Sequence, residues 1–177
     1  ASYVDDTLLD GQFDFAVYWS LLDVIGRHQG TMADLENTYF ESAAFFDGYT
    51  MSNFLGNHDV ERFLSHAAGE VNSLYGDGLC TSGDWRVDAQ LPSWSEPYER
   101  LGLAWVWLLT HPGVSLIYYG DEIGLSGYHD PDNRHMMSWD WNSDQEQLHQ
   151  LVQKVGQARK QYPQLSSFDR EVWWEDI

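Results

Sequence analysis

The sequence is short of cysteine, of positive charge and of unbroken apolar runs, and each shortage removes a class of function. Cys80 is the single cysteine in 177 residues, so no disulfide closes within the chain and a cysteine-rich metal site is excluded. Its remaining use would be pairing with a cysteine elsewhere in a longer parent protein. Nine Lys and Arg stand against 28 Asp and Glu, a formal net charge of -19. Such a surface repels nucleic acid and anionic membrane alike, and neither is expected as a partner. Neutral polyols such as sugars meet no such barrier. No apolar stretch approaches the roughly 20 residues of a spanning helix, and the first residues do not resemble a signal peptide. The start, ASYVDDTLLDGQ, lacks an initiator Met and has the character of mid-chain sequence. Phosphate-cradling glycine loops and the Gly-x-Ser-x-Gly elbow are absent. His28, His66, His111 and His149 show no metal-ligand spacing and are expected to be ordinary surface or packed histidines.

What is plentiful is apolar and aromatic. Hydrophobic residues make up 43% of the chain and aromatics 15%, with nine Trp. That is enough for a real core at the length of one domain. Flat rings also stack on sugar faces, but most of these are expected to serve as core.

The pattern along the chain alternates. A turn at Asp10-Gly11 leads into a short strand over Gln12 to Phe15 and a helix over Ala16 to Ile25. A second helix is expected over Met32 to Phe45, capped by Thr31. Asp47-Gly48 then turns into an apolar strand at Tyr49 to Leu55, broken by Gly56. His66 to Ser95 is weakly patterned and reads as a long loop carrying Trp85 and Trp94, which pack on the domain or stack on a sugar. Ser95-Glu96-Pro97 opens a helix over Tyr98 to Thr110, with serine as cap. Val114 to Tyr118 reads as a strand buried on both faces. Ser143 to Glu146 has capping-box spacing ahead of a last helix ending near Gln161. Phe168 to Trp174 would begin another element. Strand-helix alternation of this kind implies an α/β fold with a parallel sheet.

Asn57, His58 and Asp59 follow the central strand as three adjacent polar side chains. Taken alone, the triplet fits a loop capping a helix that starts at Val60 to Leu64. The triplet alone favours that reading, with an active-site cluster at the carboxyl end of a parallel strand as the alternative. Two stretches in order, FLGNHD at Phe54 to Asp59 and GVSLIYYGDEIGLSG at Gly113 to Gly127, resemble the end of the seventh strand and the eighth strand with its loop in the α-amylase family of glycoside hydrolases. LDGQFDF with its following helix is similar to the family's sixth strand and helix.

The resemblance implies a partial TIM-type (β/α)8 barrel of about three parallel strands with their helices, occupying 1–165, with 166–177 as the possible start of a following β domain. The chain is shorter than the roughly 200 residues of a minimal complete barrel. In the family a nucleophilic Asp and an acid/base Glu lie at the fourth and fifth strands, so both would lie outside this chain. By resemblance, Asp59 is the third catalytic carboxylate, which binds the 2-OH and 3-OH of the sugar being cleaved. His58 is its neighbouring transition-state stabiliser and Asn57 the orienting residue before them. Asp130 and Arg134 resemble a pair that grips the next sugar, with a plain loop salt bridge as the alternative.

The expected substrate is an α-glucan or maltooligosaccharide, the expected mechanism retaining, and the expected partner the remainder of the barrel, in the parent chain or a second chain. No cofactor or metal is expected in this segment, while the parent leaves room for calcium. Asp130-Pro131-Asp132-Asn133 suggests calcium but lacks the Gly and distal Glu of an EF-hand loop. Asp121-Glu122 is set aside as a catalytic pair because neighbours on a strand face opposite ways. The competing reading is a non-catalytic scaffold or sugar-binding module on the same barrel.

Overall fold

A computed structural model describes residues 3–47, 49–71 and 88–171. Helices α1 (Phe15–Leu21) and α2 (Met32–Phe45) precede strand β1 (Ser52–Phe54) and the short helix α3 (Phe63–Ala67). Helix α4 (Glu96–Thr110), strand β2 (Val114–Leu116) and helix α5 (Ser143–Gln161) follow, with 3-10 turns at Asp121–Ile123, Asp132–Arg134 and Pro163–Ser166. No helix among the described residues is long and apolar enough to cross a membrane.

The fold is α/β, and its sheet is smaller than expected. β1 and β2 pair in parallel, Asn53 opposite Ser115 and Phe54 opposite Leu116. The third strand, expected over Gln12 to Phe15, shrinks to a parallel bridge between Phe13 and Ser52. Its reason is Asp14. That carboxylate accepts from Val17 N at 3.1 Å as the α1 cap, committing the chain to helix from Phe15 onward. Two ladder bonds survive, Ser52 N to Gln12 O at 2.8 Å and Asp14 N to Ser52 O at 2.9 Å. Three segments therefore run side by side in chain order. The expected strand at Tyr49 to Leu55 is likewise regular only over its last residues, although Met51 O still accepts from Val114 N.

β2 is not buried on both faces. Val114 is 55% exposed and Ile117 52%, because the described residues offer nothing to cover that side. Gly113, at φ +110°, admits this start: a Cβ there would lie 2.8 Å from Met51 O.

The helices form the core. Trp105, Leu101 and Leu108 of α4 are fully buried, meeting Leu148 and Val152 of α5 as well as Leu21 and Leu22. Tyr18 stacks on Phe54 at 4.8 Å, pinning α1 to the sheet. Ser42 donates to Asp14 at 2.6 Å and ties α2 to α1. The first helix continues past Leu21 as a π-helical turn, Leu22–Gly26. Thr31 caps α2 as expected, in a reciprocal pair with Asp34. Two other caps move. Ser95 makes no side-chain cap bond, and the ion pair of Glu96 with Arg100 supports the first turn of α4 instead. At α5 the reciprocal box belongs to Asn142 and Gln145, one residue ahead of Ser143 and Glu146. Asparagine is as good a cap as serine, so the better-placed side chain takes the role. Residues 168–171 form no regular element, and the rest of that expected element lies outside the described residues.

Candidate active site

The loops after the two paired strands converge. After β1 the chain runs through Leu55 and Gly56 into Asn57, which is 7% exposed. Its Oδ1 accepts from Asp59 N at 2.7 Å and folds the triplet into a tight turn. The residues after it stay non-helical until Phe63, so the helix expected from Val60 starts three residues late. His58 and Asp59 stand in solvent on this turn, their side chains 62% and 65% exposed, with Nε2 3.3 Å from Oδ1.

The loop after β2 brings its own pair to the same place. Arg134 Nε lies 3.0 Å from Asp130 Oδ1 and 3.0 Å from the His58 carbonyl oxygen, to which it donates. Its Nη2 lies 3.9 Å from Asp59 Oδ1. All four exposed residues singled out from sequence thus form one patch, with Asn57 packed behind it. The salt bridge between Asp130 and Arg134 is present, and the same guanidinium also reaches the Asp59 turn. A carboxylate and guanidinium held this way offer charge-assisted hydrogen bonds to a hydroxyl-rich ring.

What holds the two loops together was not visible in the motifs. Asn133, fully buried, donates to the carbonyls of His58 at 3.0 Å and Val60 at 2.8 Å. Arg62, 1% exposed, lies beneath. Its guanidinium donates to Asn133 O at 2.9 Å, Tyr119 O at 2.7 Å and Asp121 Oδ1 at 2.8 Å. It also sits over the Tyr118 ring at 4.1 Å, a cation–π contact. Burial pushes the Asp121 carboxyl up to about 6, the opposing pull of Arg62 notwithstanding. An arginine three residues after Asp59, one of nine Lys and Arg in a strongly acidic chain, was the available signal. Asp121 and Glu122 lie on a 3-10 turn rather than a strand, and Asp121 is consumed by Arg62.

Other candidates settle into structure. His66 is buried beside Arg27, its Nδ1 3.4 Å from Nη2, and burial, then that guanidinium, lower its pKa to about 3. His111 packs on Trp107 and meets Glu36 Oε1 at 2.6 Å. Trp94 is exposed, and Trp85 lies outside the described residues.

Comparison with known proteins identifies the class. No protein-family model matches the sequence. The chain is 32% identical over 178 residues to a beta/alpha-amylase of Paenibacillus polymyxa, covering 99% of this chain and 13% of that protein. A maltogenic alpha-amylase of Bacillus acidopullulyticus is 43% identical over 115 residues, covering 65% of this chain and 15% of the relative. Among solved structures, an Anoxybacillus alpha-amylase superimposes with a TM-score of 0.68 at 28% identity, over 89% of this chain and 29% of that one. Fold and relatives together define a glycoside hydrolase segment, which spans only 13 to 15% of the length of these curated relatives. The chain belongs to the α-amylase family of glycoside hydrolases.

Proposed function

We propose that this chain is the carboxyl-terminal part of an α-amylase-type (β/α)8 barrel, from the sixth strand to the eighth, in an enzyme that hydrolyses α-linked glucans with retention. The observation that carries the reading is Arg134, which spans from Asp130 to Asp59 and so joins the loops after two neighbouring parallel strands into one sugar-sized patch. Sites at the carboxyl ends of parallel strands are the rule for such barrels. An open groove of about 420 Å³, lined by Phe13, Phe15, Phe45 and Phe46 among polar side chains such as Glu41 and Thr38, supports the reading as a face for the preceding strand-helix units.

In this reading the residues divide the work. Retention needs a nucleophilic carboxylate and an acid/base carboxyl about 5 to 5.5 Å apart, both supplied by the preceding part of the barrel. The nucleophile attacks the anomeric carbon while the acid protonates the leaving oxygen; water then displaces the enzyme, giving its proton back to the same residue. Asp59 accepts hydrogen bonds from the 2-OH and 3-OH of the sugar in the cleaved position, and these strengthen as positive charge develops on the ring. His58 donates to the same ring, and Asn57 fixes the turn through the Asp59 amide. Asp130 and Arg134 hold the adjoining sugar. The isolated segment turns nothing over.

The test is Asp59→Asn in the full-length enzyme with maltooligosaccharide as substrate. Because Asp59 is exposed, Tm should hold while kcat/KM falls at least about 100-fold, the size expected when a transition-state charge contact is lost. Arg134→Ala should raise KM more than it lowers kcat. Wild-type kcat/KM in Asp59→Asn would refute the assignment.

A further inference from the structure

The loop that carries Asp130 and Arg134 holds a second set of donors that sugar binding leaves unused. Asp132 and His135 flank Arg134, and Asp88 meets them from the loop ahead of α4. One donor atom from each lies within 4.8 Å of the others. His135 Nε2 is 3.1 Å from Asp132 Oδ1 and 3.7 Å from Asp88 Oδ1.

The two His135 spacings are compatible with donors sharing an ion. Ligands about 2.1 Å from a common centre stand about 3.0 Å apart at a right angle and about 3.6 Å apart at 120°. Asp132 Oδ1 is buried and has no hydrogen-bond partner, and the imidazole nitrogen stands at ion-pair distance, 3.1 Å away. A cation held between the two would satisfy both atoms. The other oxygen of Asp132 is fixed, accepting from Ala89 N at 3.1 Å and Tyr128 N at 2.5 Å. Backbone donors on the far oxygen of a buried carboxylate are the outer support that metal ligands generally have. Asp132 is only 7% exposed, whereas Asp88 and His135 open to solvent and leave an entry path.

We propose that Asp88, Asp132 and His135 bind a first-row divalent cation of the Zn²⁺ type, with water completing the coordination. Three protein donors, one of them an imidazole nitrogen, suit Zn²⁺. Calcium takes six to eight oxygens and finds too few here. The ion joins the loop ahead of α4 to the turn that bears Arg134, and so fastens one wall of the sugar-binding patch.

The experiment uses the full-length protein, stripped with chelator and titrated with Zn²⁺ by calorimetry, with Co²⁺ as a spectroscopic probe. Wild type should take up one equivalent that His135→Ala loses or binds at least about tenfold more weakly. Asp88→Asn, an exposed change that leaves the core intact, should weaken the same equivalent, and both variants should lose the Co²⁺ ligand-field band. Stoichiometry and affinity equal to wild type in both variants would mean diffuse binding to an acidic surface and would overturn the site. Displacement of Zn²⁺ by equimolar Ca²⁺ would overturn the choice of ion. The readout is bound metal, so it stands or falls apart from the sugar reading.

Discussion

Replacing Arg62 with methionine tests whether one buried cation holds the site together. The side chain is 1% exposed and lies 2.8 Å from Asp121 Oδ1, while Asp121 itself is 2% exposed. Removing one partner of such a pair strands the other charge, at about 3 to 5 kcal/mol. The stranded carboxyl has an escape, which is to take up a proton. With Arg62 present its pKa is already up at about 6, against 3.8 unperturbed. A raised carboxyl supports the fold fully below 3.8 and loses that support as pH climbs through 6, a swing of about 3 kcal/mol at 1.36 kcal/mol per unit. Without Arg62 the pKa rises further, so the penalty of Arg62→Met should shrink by up to about 1.4 kcal/mol per unit as pH falls from 8 to 6.

Asp121→Asn removes the titration. In that background Arg62→Met should cost the same at every pH, and the double-mutant coupling at pH 8 should be about 2 to 3 kcal/mol. Urea unfolding of the four proteins at pH 6, 7 and 8 measures both quantities. A coupling below about 0.5 kcal/mol, or a penalty for Arg62→Met independent of pH with Asp121 in place, would refute the account.

Two further perturbations probe the same scaffold. His66, with its pKa lowered to about 3 from 6.5, supports the fold fully above 6.5 and progressively less as pH falls toward 3. Wild type should lose about 2 to 3 kcal/mol more between pH 7 and 4.5 than His66→Gln, and parallel pH profiles of unfolding would show that the imidazole is not responsible. A Cβ at Gly56 would lie 2.6 Å from Asp121 Oδ2, and that carboxylate is already anchored to Arg62. Gly56→Ala should therefore cost about 1 to 3 kcal/mol, visible as a lowered Tm; an unchanged melt would mean that the pair yields easily.

The sequence made the site legible where side chains act for themselves. Asn57, His58, Asp59, Asp130 and Arg134 were found by motif, and the fold brings them into one patch. It hid what acts through the backbone. Asn133 and Arg62 donate mainly to carbonyls, which every residue owns, so no pattern of residue types announces the contact. Cap register was similarly obscure, because Asn142 and Ser143 are both good caps and only geometry chooses between them. The strand at Gln12 to Phe15 was overread because Asp14, which looked like one polar position in a strand, starts the helix. Burial of β2 was misjudged for another reason: apart from Ser115 its run is apolar, as in a strand covered on both faces, but the described residues place nothing over Val114 and Ile117. The triad of Asp88, Asp132 and His135 escaped because its members are distant in sequence and only His135 and Asp132 share a turn.

Because Asn133 grips the main-chain oxygens at positions 58 and 60, the shape of that turn does not depend on which side chains stand there. Chemistry and posture are separable: His58 and Asp59 can be exchanged for other residues, by selection or by design, without the turn losing its hold. Substitutions at these two exposed positions therefore change the chemistry of the patch and leave its backbone frame in place.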